Sequence, residues 1–279
     1  MQEVAIIGAG ELGGMLAHLL ARRASARSIR LIDEAGRAAE GQALDITQAG
    51  AIDGFATIVS GSTEIADAAG ADVVVVADRR GVGEWAGDDG VVLLKRLARS
   101  APDAFIVCAG PEQRQLIERG VGELDIPRAR IIGSAPEALA AAARAIVALE
   151  LDASPREVAL SVIGVPPDRM VIGWEDATVA GWAMTRLVTE PVRRRLAQRI
   201  GALWPPGPFA LASAASKVID ALAGHSQHVT ICFVAPDQSS GARTRTAALP
   251  VRLGPSRLEV VLPPLGVAER VALDNAMQL

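Results

Sequence analysis

The chain has 279 residues, half of them hydrophobic, which is enough for one large or two ordinary domains with a well-buried core. Its formal net charge of -4 argues against a nucleic-acid-binding surface, because phosphate binding needs a concentrated positive field. With no Tyr and only four Phe, it offers few aromatic platforms on which bases or sugars could stack.

Val4–Ile7 reads as a strand and runs straight into Gly8-Ala9-Gly10-Glu11-Leu12-Gly13, which is followed by the apolar periodicity of a helix. In such a turn Gly8 allows the tight reversal, Gly10 lets the backbone approach a pyrophosphate, and Gly13 permits close packing of helix on strand. The amides of Glu11, Leu12 and Gly13 open the helix and face the phosphate charge. His18, inside the helical pattern, is read as structural. A second strand, Ser28–Ile32, ends at Asp33, 20 residues beyond Gly13. A carboxylate there accepts hydrogen bonds from the adenine-side ribose and repels a 2′-phosphate, so the set predicts a Rossmann unit that binds NAD in preference to NADP.

Further strand signals fall at Phe55–Val59, Asp72–Ala77, Ala104–Cys108 and Arg130–Ile132, separated by helix-like stretches. This alternation predicts a doubly wound parallel sheet covered on both sides, with the uninterrupted apolar run from Asp72 at its centre beside the first strand. Ala77, at the carboxyl edge of that run, joins the expected cofactor contacts, and Arg79 and Arg80 just beyond it are candidates to clamp an anionic ligand. Asp78 cuts the other way, since its charge repels phosphate unless Arg79 pairs with it.

After Gly133 the pattern changes. Pro136–Leu151 reads as a helix, Glu157–Gly164 and Met170–Trp174 as strands, and Thr178–Ile200 as largely helical. A helix at Phe209–Ala223, strands at Val229–Ala235, Ala247–Leu253 and Arg257–Val261, and a helix at Val267–Met277 complete the chain. The expectation is an NAD-binding Rossmann domain over 1–133 and an α+β domain over 134–279. Cys108 and Cys232 sit in separate apolar runs, as buried reduced thiols do in a cytosolic protein. No run reaches transmembrane length and the first strand signal begins almost at Met1, so no membrane partner, no signal peptide and a cytoplasmic location are expected. His225 and His228 lack companion ligands, and no metal site is expected.

Several segments resemble the lactate/malate dehydrogenase family. Beyond the glycine turn and Asp33, Glu40-Gly41-Gln42-Ala43-Leu44-Asp45-Ile46 is similar to that family's Glu-Gly-Lys-Ala-Leu-Asp-Leu helix. Ala69–Val76 is similar to its fourth strand and Ala101-Pro102-Asp103-Ala104 to the approach to its fifth. Ala148-Leu149-Glu150-Leu151, Thr178-Val179-Ala180-Gly181 and Ala212–Leu222 continue the likeness in order. The resemblance implies the family fold, NAD as cofactor, a small-molecule ligand, and a homodimer formed through the Glu40–Ile46 helix.

The family reaction transfers hydride between NAD and a 2-hydroxy acid, using a histidine, an aspartate that holds it and an arginine fork for the substrate carboxylate. The family's Gly-Gly-His-Gly-Asp falls on Gly164-Val165-Pro166-Pro167-Asp168, which puts Pro166 at the histidine position. In the family's Leu-Asp-Ser-Ala-Arg-Phe-Arg segment the aspartate falls on Leu139 and the carboxylate-binding arginine on Ala142, with Arg144 retained. The Asn-Pro after the fifth strand becomes Gly110-Pro111. The expected function is therefore an NAD(H)-binding, oxidoreductase-like protein that is inactive on malate and lactate. The alternative is a non-catalytic NAD or adenine-nucleotide binding protein, a sensor or partner subunit. No catalytic residue is assigned.

Overall fold

Four consecutive valines, Val73 to Val76, leave no polar face, and the protein buries all four in the middle of a sheet. Removing each from water contributes roughly 1.5–3 kcal/mol, so this segment is fixed before any loop is considered. The computed structural model describes residues 1–35, 37–237, 245–255 and 257–278. In chain order β1 (Glu3–Ile7), α1 (Glu11–Arg22), β2 (Ser28–Ile32), α2 (Ala38–Asp53), β3 (Ile58–Ser62) and β4 (Val73–Val76) come first. A hairpin of β5 (Asp78–Arg79) and β6 (Gly83–Glu84) precedes α3 (Gly87–Ser100), β7 (Phe105–Cys108), α4 (Arg114–Leu124), β8 (Ile131–Gly133) and α5 (Ala135–Glu150). Next are β9 (Val158–Ala159), β10 (Val162–Val165), β11 (Arg169–Ile172), β12 (Thr178–Val179), β13 (Trp182–Ala183), α6 (Met184–Leu187), α7 (Glu190–Gly201) and α8 (Pro208–Leu222). The chain ends with β14 (Thr230–Val234), β15 (Ala247–Gly254), β16 (Arg257–Val260) and α9 (Val267–Met277).

Six parallel strands lie in the order β3-β2-β1-β4-β7-β8, with Val4–Ile7 opposite Val73–Val76 and these in turn opposite Phe105–Cys108. The order reverses between β1 and β4, and a crevice opens beyond the carboxyl ends of those two strands, where α/β sheets bind ligands. The far edge of β8 accepts β14 antiparallel, and β15, β10 and β11 follow, with β16 also on β15. One 11-stranded sheet thus runs from the parallel to the antiparallel part, and α8 packs against both α1 and α5. The Rossmann doubly wound sheet followed by an α+β part is the architecture the sequence predicts.

Three segments differ from the sequence reading. The third strand runs from Ile58 to Ser62 rather than from Phe55 to Val59. A Cβ at Gly61 would stand 2.4 Å from the Glu40 Cα of α2, so a residue without a side chain is what lets helix and strand touch there. The Glu157–Gly164 stretch divides into β9 and β10, which belong to different sheets. The stretch expected to be helical from Thr178 opens instead with the β12–β13 hairpin, turned by Ala180 and Gly181 at φ 49° and 82°, and helix resumes in α6 and α7.

Both cysteines are free and buried, and burial pushes both thiols up. His18 is half-buried, its Nε2 3.3 Å from Asp53 at the end of α2. Among the described residues no helix is long and apolar enough to cross a membrane.

Candidate functional site

The crevice between β1 and β4 begins at the glycine turn. Gly8 takes φ 119°, which no L side chain adopts readily, and its amide donates to the Ile32 carbonyl at 2.7 Å. A Cβ on Gly13 would lie 1.9 Å from the Gly8 carbonyl oxygen, so α1 rests on the turn with no room for a methyl group. Leu12 points into the core, Glu11 is exposed, and buried Ala77 donates its amide to Ile7 at 2.9 Å. The amides at the start of α1 have no partner within the helix and carry its positive dipole end, so they require an acceptor.

That acceptor is part of the chain. The Asp78 carboxylate takes hydrogen bonds from the Glu11 amide at 2.9 Å through Oδ2 and from the Gly13 amide at 3.0 Å through Oδ1. The Asp78 carbonyl accepts a third from the Gly10 amide at 2.9 Å. A Cβ on Gly10 would meet Asp78 Oδ2 at 2.3 Å, so the missing side chain at Gly10 is what admits this carboxylate.

Asp33 is only 4% exposed. Its Oδ2 accepts from the Ala9 amide at 2.7 Å and the Arg80 amide at 3.0 Å, and its Oδ1 from the Ala35 amide at 2.8 Å. Three amide donors satisfy a buried carboxylate that would otherwise be costly. The Ala9 and Ala35 bonds are local to the turn and to β2, but the Arg80 bond comes from the β5–β6 hairpin.

The hairpin also reaches the other end of the crevice. Glu84 Oε2 accepts from the Glu112 amide at 3.1 Å, and a Cβ on Gly110 would fall 2.0 Å from the same oxygen. Any side chain at position 110 would therefore require the Glu84 carboxylate to move. Burial pushes the Glu84 carboxyl up to about 7; the Glu112 amide opposes this, and the charges of Glu112 and Asp78 add to it. Arg79 turns away from Asp78, with its guanidinium carbon 4.2 Å from the Trp85 ring centroid and an Nη1 3.7 Å from Asp89. The Asp78 charge is thus met by amides, not by the arginine pairing considered from the sequence. Arg80 is exposed and, with Ala9, Gly10, Glu11, Gln42 and the hairpin, lines a cleft of about 560 Å³.

The substrate-side positions lie in a different environment. Leu139 is fully buried in α5, and Pro166 is buried in the turn between β10 and β11. Arg144 is paired with Glu137 at 2.8 Å; the same buried carboxylate takes Lys217 Nζ at 2.7 Å and the Ile231 amide at 2.9 Å. This cluster, which joins α5, α8 and β14, escaped the sequence reading. The signal for it was a single acid near the start of an Ala-rich helix with an arginine two turns later.

The turn and Asp33 fit a dinucleotide's diphosphate and ribose in kind, with amides for the anion, a carboxylate for hydroxyls and a cradle that any Cβ would fill. The acceptor on the turn's amides and the donors on Asp33 are supplied by the protein itself.

Residues 2–89 match the family model for the lactate/malate dehydrogenase NAD binding domain. The malate dehydrogenase of Thioalkalivibrio sulfidiphilus is 29% identical over 99% of this chain and 96% of its own length. The L-lactate dehydrogenase of Geotalea daltonii is 27% identical over 99% and 96%. Among solved structures, the malate dehydrogenase of Aeropyrum pernix superposes with a TM-score of 0.88 at 21% identity, covering 98% of this chain and 95% of that one. The Cryptosporidium parvum lactate dehydrogenase in complex with lactic acid and NAD has a TM-score of 0.88 at 22% identity, over 99% and 94%.

Proposed function

Because the chain belongs to the lactate/malate dehydrogenase family, we propose that it binds NAD(H) through its glycine turn and Asp33 but does not turn over malate or lactate. The cofactor contacts are assigned to Gly8, Gly10, Glu11, Leu12, Gly13, Asp33 and Ala77. The observation that carries the inactive half is the combination of Pro166, Leu139 and Ala142. None of these side chains can exchange a proton near neutral pH or grip a carboxylate, and Arg144 is already committed to Glu137. Catalytic groups that act as a unit do not survive singly, so losing all of them removes the family mechanism.

A second reading, a nucleotide-binding protein without chemistry, draws support from Glu84 filling the space at Gly110, beside the crevice end away from Asp33. Arg79 and Arg80 are the cations beside the cleft and are assigned to an anionic group of the ligand. Homodimerisation is assigned to α2, which leaves Leu44 and Ile52 exposed. The two free buried thiols suit a cytoplasmic setting.

Calorimetric titration with NAD, NADP and ADP tests the binding half. Saturable NAD binding is expected, and Asp33→Asn should weaken it and narrow the preference over NADP. Unchanged affinity and preference in that variant would remove the ribose role from Asp33.

A further inference from the structure

We infer that the β5–β6 hairpin is an internal occupant of the dinucleotide crevice, with the Asp78 carboxylate seated where a ligand's diphosphate would bind, so that nucleotide binding must displace it. This inference rests on the NAD-binding reading above and adds how that site is regulated.

Three contacts made by one short segment carry it. The Asp78 carboxylate holds the Glu11 and Gly13 amides at the N-terminus of α1, the groups that would hold a phosphate. The Arg80 amide holds Asp33 Oδ2, the acceptor a ribose hydroxyl would use. Glu84 fills the space above Gly110 at the other end. An amide hydrogen directed at one carboxylate oxygen is not available to a phosphate oxygen, and two anions at van der Waals distance repel. Ligand and hairpin therefore exclude one another.

The segment is built to move at low cost. Its ladder has two residue pairs, Asp78 with Glu84 and Arg79 with Gly83. Arg80, Gly81, Val82 and Gly83 are exposed, and Gly81, Gly83 and Gly87 take φ of 74°, 97° and 55°. Anchors stand at both ends, with Ala77 buried and the Asp78 carbonyl on the Gly10 amide at one and Trp85 buried next to Glu84 at the other, so displacement needs only the Asp78 side chain and the Arg80–Gly83 tip to move. Affinity measured on the wild-type protein is then the intrinsic affinity reduced by the fraction of molecules with the hairpin out.

The test is calorimetric titration of NAD and of ADP into wild type, Asp78→Ala and Asp78→Asn, with thermal unfolding of each to confirm folding. Asp78→Ala should bind both ligands at least about tenfold more tightly than wild type, because the competing population is removed. Asp78→Asn, which keeps one acceptor but loses the charge, should lie between the two and serves if the alanine variant does not fold. Hydrogen exchange should show the Arg80 amide losing protection when wild type is saturated with NAD. Equal or weaker binding by folded Asp78 variants, beside measurable wild-type binding, would overturn the hairpin's role alone. No binding by any of the proteins at about 10 mM ligand would overturn the NAD-binding reading and this inference with it.

Discussion

The β1–α1 turn and the α5–α8–β14 cluster each surround a carboxylate with donors, yet the two regions bear on ligand binding in opposite ways. Around Asp78 the donors are backbone amides at a helix start, fixed by glycines that leave no room for side chains, and any anion of suitable shape could take them. Around the buried Glu137 the donors are the partly exposed Arg144 and Lys217 and the Ile231 amide, which tie three elements together. Backbone geometry alone defines the first arrangement. The second depends on side-chain identity, and its charges serve packing. Donors fixed by the backbone and donors carried on side chains are different kinds of group, and they serve different ends in this fold.

The largest expected effect breaks the first region. Gly13→Ala places a Cβ 1.9 Å from a backbone oxygen, and forcing α1 away should cost roughly 3–5 kcal/mol, read from the denaturant midpoint. An unchanged midpoint would mean that the turn is not held by that contact. Next comes Glu137→Ala. Arg144 and Lys217 are partly solvated, so stranding them together with the buried Ile231 amide should cost roughly 2–3 kcal/mol rather than the full penalty of a buried charge. A neutral result would show that the cluster is not a fastening.

Glu84→Gln sharpens the link between hairpin and crevice. As pH rises past about 4.5 the unfolded chain ionises this carboxyl while the folded protein keeps its proton, so stability falls until about 7 and then levels off. The glutamine variant should lack this decline and be more stable than wild type at about pH 8, by roughly 1–2 kcal/mol once screening at a partly exposed group is allowed for. Parallel pH profiles for the two proteins would contradict the burial of Glu84. The smallest effect is expected from Pro166→His. With Leu139 unable to orient an imidazole and Ala142 unable to hold a carboxylate, NADH oxidation by oxaloacetate or pyruvate should stay below about a thousandth of an ordinary enzyme rate near 10 per second.

The central valines, the glycine turn and the strand-helix alternation were legible in the sequence because each is a local pattern with one physical solution. The β12–β13 hairpin was missed because Thr178–Ala183 is too short for a period to decide, although Gly181 marked a turn. β3 was misplaced because an edge strand of Ser60, Gly61 and Ser62 draws its definition from β2 and α2, not from its own hydrophobicity. At the site, Asp78 could be singled out as a charge in the wrong place for phosphate. Its seat could not be read, since the loops after β1, β2 and β4 meet only in the folded chain. Gly110 stood out in the sequence as a departure from Asn-Pro, but Glu84, far from it in sequence, did not, and only the folded chain shows one filling the space left by the other.

Binding without turnover is best tested in a single sample, by titrating the protein with NADH calorimetrically and then following NADH absorbance after adding oxaloacetate and, separately, pyruvate. The account predicts a saturable NADH isotherm and no decline in absorbance beyond the protein-free control. Turnover approaching about 10 per second with either acid would contradict it.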